Sequence, residues 1–262
     1  MQLNTDKMLA AKENGIGWVT FNNPERRNAM SLEMWQAATI IFDEFARDPE
    51  VRVVVMKGAG DKAFVSGADI SQFAERRNNA EAAAEYNKIS AAGAQAMIKL
   101  EKPLIAMIRG FCMGGGLAIA MRADMRIASE DSQFGIPAAK LGIAYAHESV
   151  RALVSLVGPA YAKQILFTGR QIKAAEALRI GLVNEVVPVE ALEQTVRDYA
   201  ATMSVNAPLS MKASKLTVNM VVNQQRDQAL LDALAKECFD STDYTEGRTA
   251  FMEKRKPVFT GR

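Results

Sequence analysis

The chain has 262 residues, of which 49% are apolar and 24% charged, with a formal net charge of +2. These values describe a globular protein with a sizeable core and exclude a disordered or fibrous chain. The well-mixed charges give no basic surface for nucleic acid and no face for a membrane, so neither partner is expected.

One domain, or one domain with a small terminal extension, accounts for this length. The opening residues MQLNTDKMLAAKENG lack the basic-then-apolar layout of a secretory signal, and no apolar stretch reaches the roughly 18 residues of a membrane span. Cys112 and Cys238 lie far apart without metal-ligand spacing, which favours reduced structural thiols. A cytoplasmic protein without a metal is expected.

Residues 8–21 read as two strands around the turn Glu13-Asn14-Gly15, the second alternating like a half-buried strand. Residues 22–28 form a loop, after which Ser31 is placed to cap a helix. Its apolar stripe is Met34, Ala37, Ala38 and Ile41, and it ends near Arg47-Asp48-Pro49. Residues 51–57 read as a buried strand leading to KAFVSGADI, a glycine-containing junction. The alanine-rich segment 69–100 follows with helical propensity, and Asp69 is its expected cap.

The run Leu104-Ile105-Ala106-Met107-Ile108 is short, apolar throughout and bounded by Pro103 and Gly110, as a fully buried strand should be. Gly114, Gly115 and Gly116 come next, and residues 117–121 read as a helix. A helix start directs unpaired N–H groups outward, and glycine lets a ligand come close to them, so this junction attracts negative charge. Asp124 is expected to end that helix and tie neighbouring loops. Further strands are expected at 125–128 and 132–137. From Val150 onward the pattern is almost wholly helical, interrupted at Gly158-Pro159, Thr168-Gly169 and the strand-like 183–187. The reading is an α/β core over residues 1–195 followed by a helical extension over 196–262.

Four segments resemble the crotonase, or enoyl-CoA hydratase/isomerase, superfamily: NNPERRNAM, KAFVSGADI, KPLIAMIRGFCMGGGLAIAMRAD and FTGRQIKAAEALRIGLVNEVV. The resemblance implies a spiral of ββα units with C-terminal helices that build a homotrimer or a dimer of trimers. It also implies an acyl-CoA substrate, with coenzyme A present only as part of that substrate and no permanently bound cofactor. Two backbone N–H groups, mapped to Ser66 and Gly115, would stabilise an enolate or related oxyanion. The carbonyls of Arg26, Ala63 and Ser66, the residue Ala68 and the ammonium of Lys62 would contact the coenzyme, joined by Lys254 and Phe259 of the run EKRKPVF.

Hydratases of this superfamily carry two glutamates that hold water and move a proton, and here those positions are Ala118 and Ala138. A methyl group neither gives nor takes a proton, so the usual hydration machinery is absent. The loop LGIAYAHE supplies the replacement candidates Tyr145, His147 and Glu148, and His147 is the only histidine. Tyr145 falls where decarboxylating members carry a tyrosine in a similar LGxxY context. Three readings follow: a hydratase-like lyase or isomerase, a decarboxylase or thioester hydrolase, and an acyl-CoA-binding protein without catalysis.

Overall fold

The computed structural model describes residues 1–69 and 80–262. Strands β1 (Met8–Glu13), β2 (Ile16–Phe21), β3 (Val53–Gly58), β5 (Leu104–Ile108), β7 (Met125–Ser129) and β10 (Glu185–Val187) form one sheet, ordered β1-β2-β3-β5-β7-β10. A second sheet contains β4 (Ala63–Val65), β6 (Phe111–Met113), β8 (Gln133–Gly135) and β9 (Ile172–Lys173), in that order. The two-residue β9 is not anticipated by the sequence pattern; it pairs antiparallel with β8.

β2 is buried on both faces instead of alternating with solvent. Val19 and Phe21 enter the main core with Phe42, Met56 and Leu104, whereas Ile16 and Trp18 enter a second core with Val53, Val55 and Ile105. Helix α1 (Leu32–Arg47) contributes Phe42 to the main core, and its Ser31 cap accepts from Met34 N at 3.3 Å. The sheet's second core is completed by Leu192, Val196 and Ala200 of a later helix, Leu192–Ser204. Both faces are therefore shielded, and period-two alternation distributes side chains between two cores. That later helix crosses the 195/196 division, so its first and last turns share one packing role.

Helix α2 (Ala80–Ile98) packs on α1. The start expected near Asp69, and Asp69's capping role, lie outside the described residues. Asp69 itself is buried and accepts from Arg26 Nη1 at 3.3 Å. After the short helix α3 (Gly115–Ala120), Asp124 accepts from Leu104 N at 2.7 Å and from Lys215 Nζ at 2.9 Å, which is the tie expected of it. Helix α4 (His147–Thr168) is kinked at Gly158, next to Pro159. Helices α5 (Ala174–Arg179), α6 (Leu192–Ser204), α7 (Pro208–Val222), α8 (Gln228–Phe239) and α9 (Thr242–Glu253) complete the chain.

The small sheet positions the site. β4, β6 and β8 are neighbours and run parallel, so their C-terminal ends open on one side. The segments that leave those ends are 66–69, the triple glycine with α3, and the 3-10 turn Pro137–Leu141. Ligands bind at such carboxyl ends because several loops converge there. Buried Asn28 locks the preceding loop against β4, donating from Nδ2 to Ala63 O at 2.7 Å and to Ala59 O at 2.9 Å.

Candidate active site

The turn after β4 is held by an isolated parallel bridge between Met30 and Ala68. Met30 N donates to Gly67 O at 2.8 Å and Asp69 N donates to Met30 O at 2.9 Å. Those bonds use the groups on either side of Ala68, so its own N–H points away from Met30. Ser66 N–H donates to Arg27 O at 3.0 Å and its hydroxyl to Arg26 O at 3.4 Å. The amide expected from the sequence to face the ligand is thus engaged in holding the loop, and Ala68 presents the open one.

Across from it stands the first turn of α3. Gly115 is exposed at the first helical position, where an N–H has no intrahelical partner. A β-carbon built on Gly115 would lie 3.7 Å from Ala68 N, and one on Gly67 would lie 3.8 Å from Gly115 N. The two main-chain N–H groups therefore border one small space, and neither donates to a main-chain acceptor among the described residues. Gly116 is required for a different reason: its β-carbon would fall 1.9 Å from Val65 O, so α3 reaches β4 only without a side chain there.

Ala118 lies one turn further along α3, and Ala138 lies in the 3-10 turn after β8. Both are half-buried. Tyr145 packs against the main core and its hydroxyl donates to Gly114 O at 3.0 Å. Burial pushes the Tyr145 phenol above its ordinary value, partly offset by the positive charge of Arg122, so it stays protonated at neutral pH. Tyr145 thus braces the glycine turn.

Sequence reasoning missed Arg122. Its Nη1 donates to Ala118 O at 2.6 Å, while its Nε is buried without an acceptor. Burial lowers its pKa, while Tyr145 and Glu148 act in the other direction. The signal in the sequence was slight: a charged residue directly after the apolar run Leu117–Met121, where the helix ends.

His147 and Glu148 are exposed in the first turn of α4. Glu148 is linked electrostatically to Arg122, and the described contacts give His147 no side-chain partner in the site. The Arg26 carbonyl accepts from Ala29 N at 3.0 Å as well as from Ser66 Oγ, and the Ala63 carbonyl accepts from Asn28, so both already serve the loop framework. Lys62 is exposed beside them. Lys254 ends α9 in a left-handed conformation, and the Phe259 ring lies over Gly247 of the same helix, so within one chain they belong to the C-terminal helices.

Comparison with known proteins adds four findings. A family model described as Enoyl-CoA hydratase/isomerase matches residues 11–262. The short-chain-enoyl-CoA hydratase of Clostridium acetobutylicum is 40% identical over 261 residues, covering 98% of this chain and 97% of that one. The (E)-benzylidenesuccinyl-CoA hydratase of Thauera aromatica is 36% identical over 250 residues, covering 95% and 96%. Among solved structures, an enoyl-CoA hydratase/carnithine racemase from Magnetospirillum magneticum superposes with a TM-score of 0.93 at 35% identity, covering 99% of this chain and 97% of that one.

Proposed function

The chain belongs to the enoyl-CoA hydratase/isomerase family, and we propose that it acts on an acyl-CoA thioester whose carbonyl oxygen is received by Ala68 N–H and Gly115 N–H. The observation that carries this reading is the shared space bordered by those two amides, with Ser66 N–H already committed to Arg27. Main-chain donors fixed by a bridge and a helix start need no reorganisation when charge develops on the oxygen, and one such donor contributes about a hundred- to a thousand-fold in rate. The negative charge of an enolate would rest there while the α-carbon reacts.

Proton movement at that carbon falls to groups other than the family's two glutamates. Ala118 and Ala138 have no exchangeable proton, and Tyr145 spends its hydroxyl on Gly114. For a hydratase-like lyase or isomerase reaction the remaining carriers are His147, Glu148 and a bound water. The same pair of alanines favours a second reading, decarboxylation or hydrolysis. Loss of carbon dioxide generates the enolate without a protein base, leaving the electrons on the α-carbon and the thioester oxygen.

Lys62 and the Ser66 carbonyl are the coenzyme contacts we retain, with Lys254 and Phe259 reaching the nucleotide of a neighbouring protomer's substrate in a homotrimer or dimer of trimers. Exposed Phe167, Val221, Phe251 and Met252 support such assembly, since large apolar side chains in the open mark interfaces. The test follows the conjugated enoyl absorbance of crotonyl-CoA in parallel with carbon dioxide release from malonyl-type thioesters. Loss of the absorbance supports the first reaction, and gas release with crotonyl-CoA intact supports the second. Turnover of acyl-CoA unaffected by perturbing both amides would remove the oxyanion site from the mechanism.

A further inference from the structure

We propose that Asn28 is a positioning residue of this enzyme: its side chain holds residues 26–30 where they aim the Ala68 amide at the thioester oxygen. The inference rests on the thioester reading above and adds what keeps one of its two donors in place.

A ladder of main-chain bonds links Asn28 to that amide. Arg27 O accepts from Ser66 N at 3.0 Å, Met30 N donates to Gly67 O at 2.8 Å, and Met30 O accepts from Asp69 N at 2.9 Å. Asn28 is thus flanked on both sides by the residues that fix the turn after β4. Gly67 and Ala68 carry no polar side chain to hold that turn by other means, so a shift of residues 26–30 passes directly to the Ala68 N–H.

One buried side chain anchors the ladder. Asn28 Nδ2 donates to Ala63 O at 2.7 Å and to Ala59 O at 2.9 Å, while its Oδ1 accepts from Asn23 N at 2.9 Å. Two main-chain acceptors and one main-chain donor call for two N–H groups and one oxygen, the set that a primary amide presents. Space is fixed as closely as polarity: a β-carbon on Gly58 would fall 2.7 Å from Asn28 Nδ2, so β3 carries glycine where the amide passes.

The backbone at this point is left-handed, with φ of 51° at Arg27 and 57° at Asn28. Residues with side chains enter that region at a cost, and asparagine is among the few that do so readily. Such strain persists only where the surroundings over-determine it, and it collects where a site demands fixed geometry. The demand here lies two residues on, at Met30, whose N–H and carbonyl set the direction of the Ala68 amide. Lys102 supplies the contrast: it too spans main-chain carbonyls, donating to Phe45 O and Asp48 O at 2.6 Å each, but at the opposite end of α1 from this turn.

The test is infrared spectroscopy of butyryl-CoA, labelled with carbon-13 at its carbonyl, bound to the full-length protein at saturation and recorded before free thiol appears. Hydrogen bonds from the two amides weaken the C=O bond, so wild type is expected to move the band to lower frequency than in free butyryl-CoA. Asn28→Asp keeps the side chain's shape and its tolerance of a left-handed backbone but turns the two donors into oxygen. Asn28→Gly keeps the backbone freedom and drops all three side-chain bonds. Each is expected to lose about half of the displacement, as when one of two donors is misplaced. Saturation keeps changes in affinity out of the reading. Lys102→Met, which loses buried bonds remote from the turn, is expected to keep the whole displacement. A full displacement in a folded Asn28 variant, or the same loss in Lys102→Met, overturns the positioning role and preserves the thioester reading. An undisplaced band in bound wild type, or no binding at all, rejects both. Where neither Asn28 variant folds, Asn23→Ala takes their place, since it removes the bond from Nδ2 to Ala29 O of the same segment. A smaller loss is expected there, and an unchanged band overturns the assignment.

Discussion

The phenolic oxygen of Tyr145 donates to the carbonyl of Gly114 at 3.0 Å, fixing the turn that presents the next residue's N–H. The side chain therefore supports an amide from behind and has no hydrogen left for the reacting carbon. Tyr145→Phe keeps the ring's packing and removes only this bond. We expect kcat to fall about tenfold through displacement of the Gly115 amide. The pH–rate profile should keep its shape, and disappearance of one limb would instead make the phenol an acid or base.

Two neighbouring glycines should respond to alanine in opposite ways. At Gly115 a methyl meets only ordinary contacts, the nearest at 3.7 Å, so the melting temperature should stay within about 3 °C. It would occupy the space beside Ala68 N, and kcat/KM should drop about a hundredfold. At Gly116 the methyl would be driven to 1.9 Å from Val65 O, and the protein should lose about 3 kcal/mol of stability in a urea melt. Equal loss of stability in the two variants would contradict the assignment of Gly115 to the site.

These positions also mark what was legible in sequence. The buried strand at Leu104–Ile108, the glycine turn and the Ser31 cap follow from local apolarity, turn chemistry and hydrogen-bonding side chains, and they stand as expected. The choice of amide was not legible. Whether Ser66 or Ala68 faces the ligand depends on Arg27 and Met30, far upstream in the chain, whose carbonyl and amide decide which groups are used up. β2 misled for a similar reason, because the helix that covers its second face lies at Leu192–Ser204. Long-range partners leave no local trace.

Installing Ala118→Glu together with Ala138→Glu returns two carboxylates to the positions that hydratases of the superfamily use. If the amide pair and the surrounding scaffold are intact, crotonyl-CoA hydration should appear or rise at least about tenfold. Each single substitution should give far less, since one group holds the water while the other moves the proton. Absence of any gain in a double variant that still binds acyl-CoA would place the deficiency elsewhere in the site.

The C-terminal segment carries an acid-sensitive clasp. Glu246 accepts from Arg255 Nη1 at 2.6 Å, from Arg255 Nη2 at 2.8 Å and from Val258 N at 2.8 Å. Arg255 first, and the Val258 amide second, hold the Glu246 carboxyl down from 4.5 to about 2. Its folded value is depressed, so the support is present above pH 4.5 and is lost as pH falls toward about 2, where the unfolded chain binds more protons. Hydrogen-exchange protection factors at residues 255–262, taken against the intrinsic rate at each pH, should fall across that window in wild type, and in Glu246→Gln should be low throughout with little further change. A wild-type protection factor unchanged between about pH 5 and 2 would dissociate the clasp from this carboxyl.

The bridge between Met30 and Ala68 separates direction from identity. Because bonds on either flank orient the peptide unit, the hydrogen at 68 points the same way whichever side chain is attached to that residue. The direction of the amide at 68 therefore does not depend on its own side chain, whereas its predecessor, held at a φ of 123°, is confined to glycine. A change of acyl preference could be written at 68 without disturbing the polarising hydrogen beside it, making this residue a natural dial for redesign.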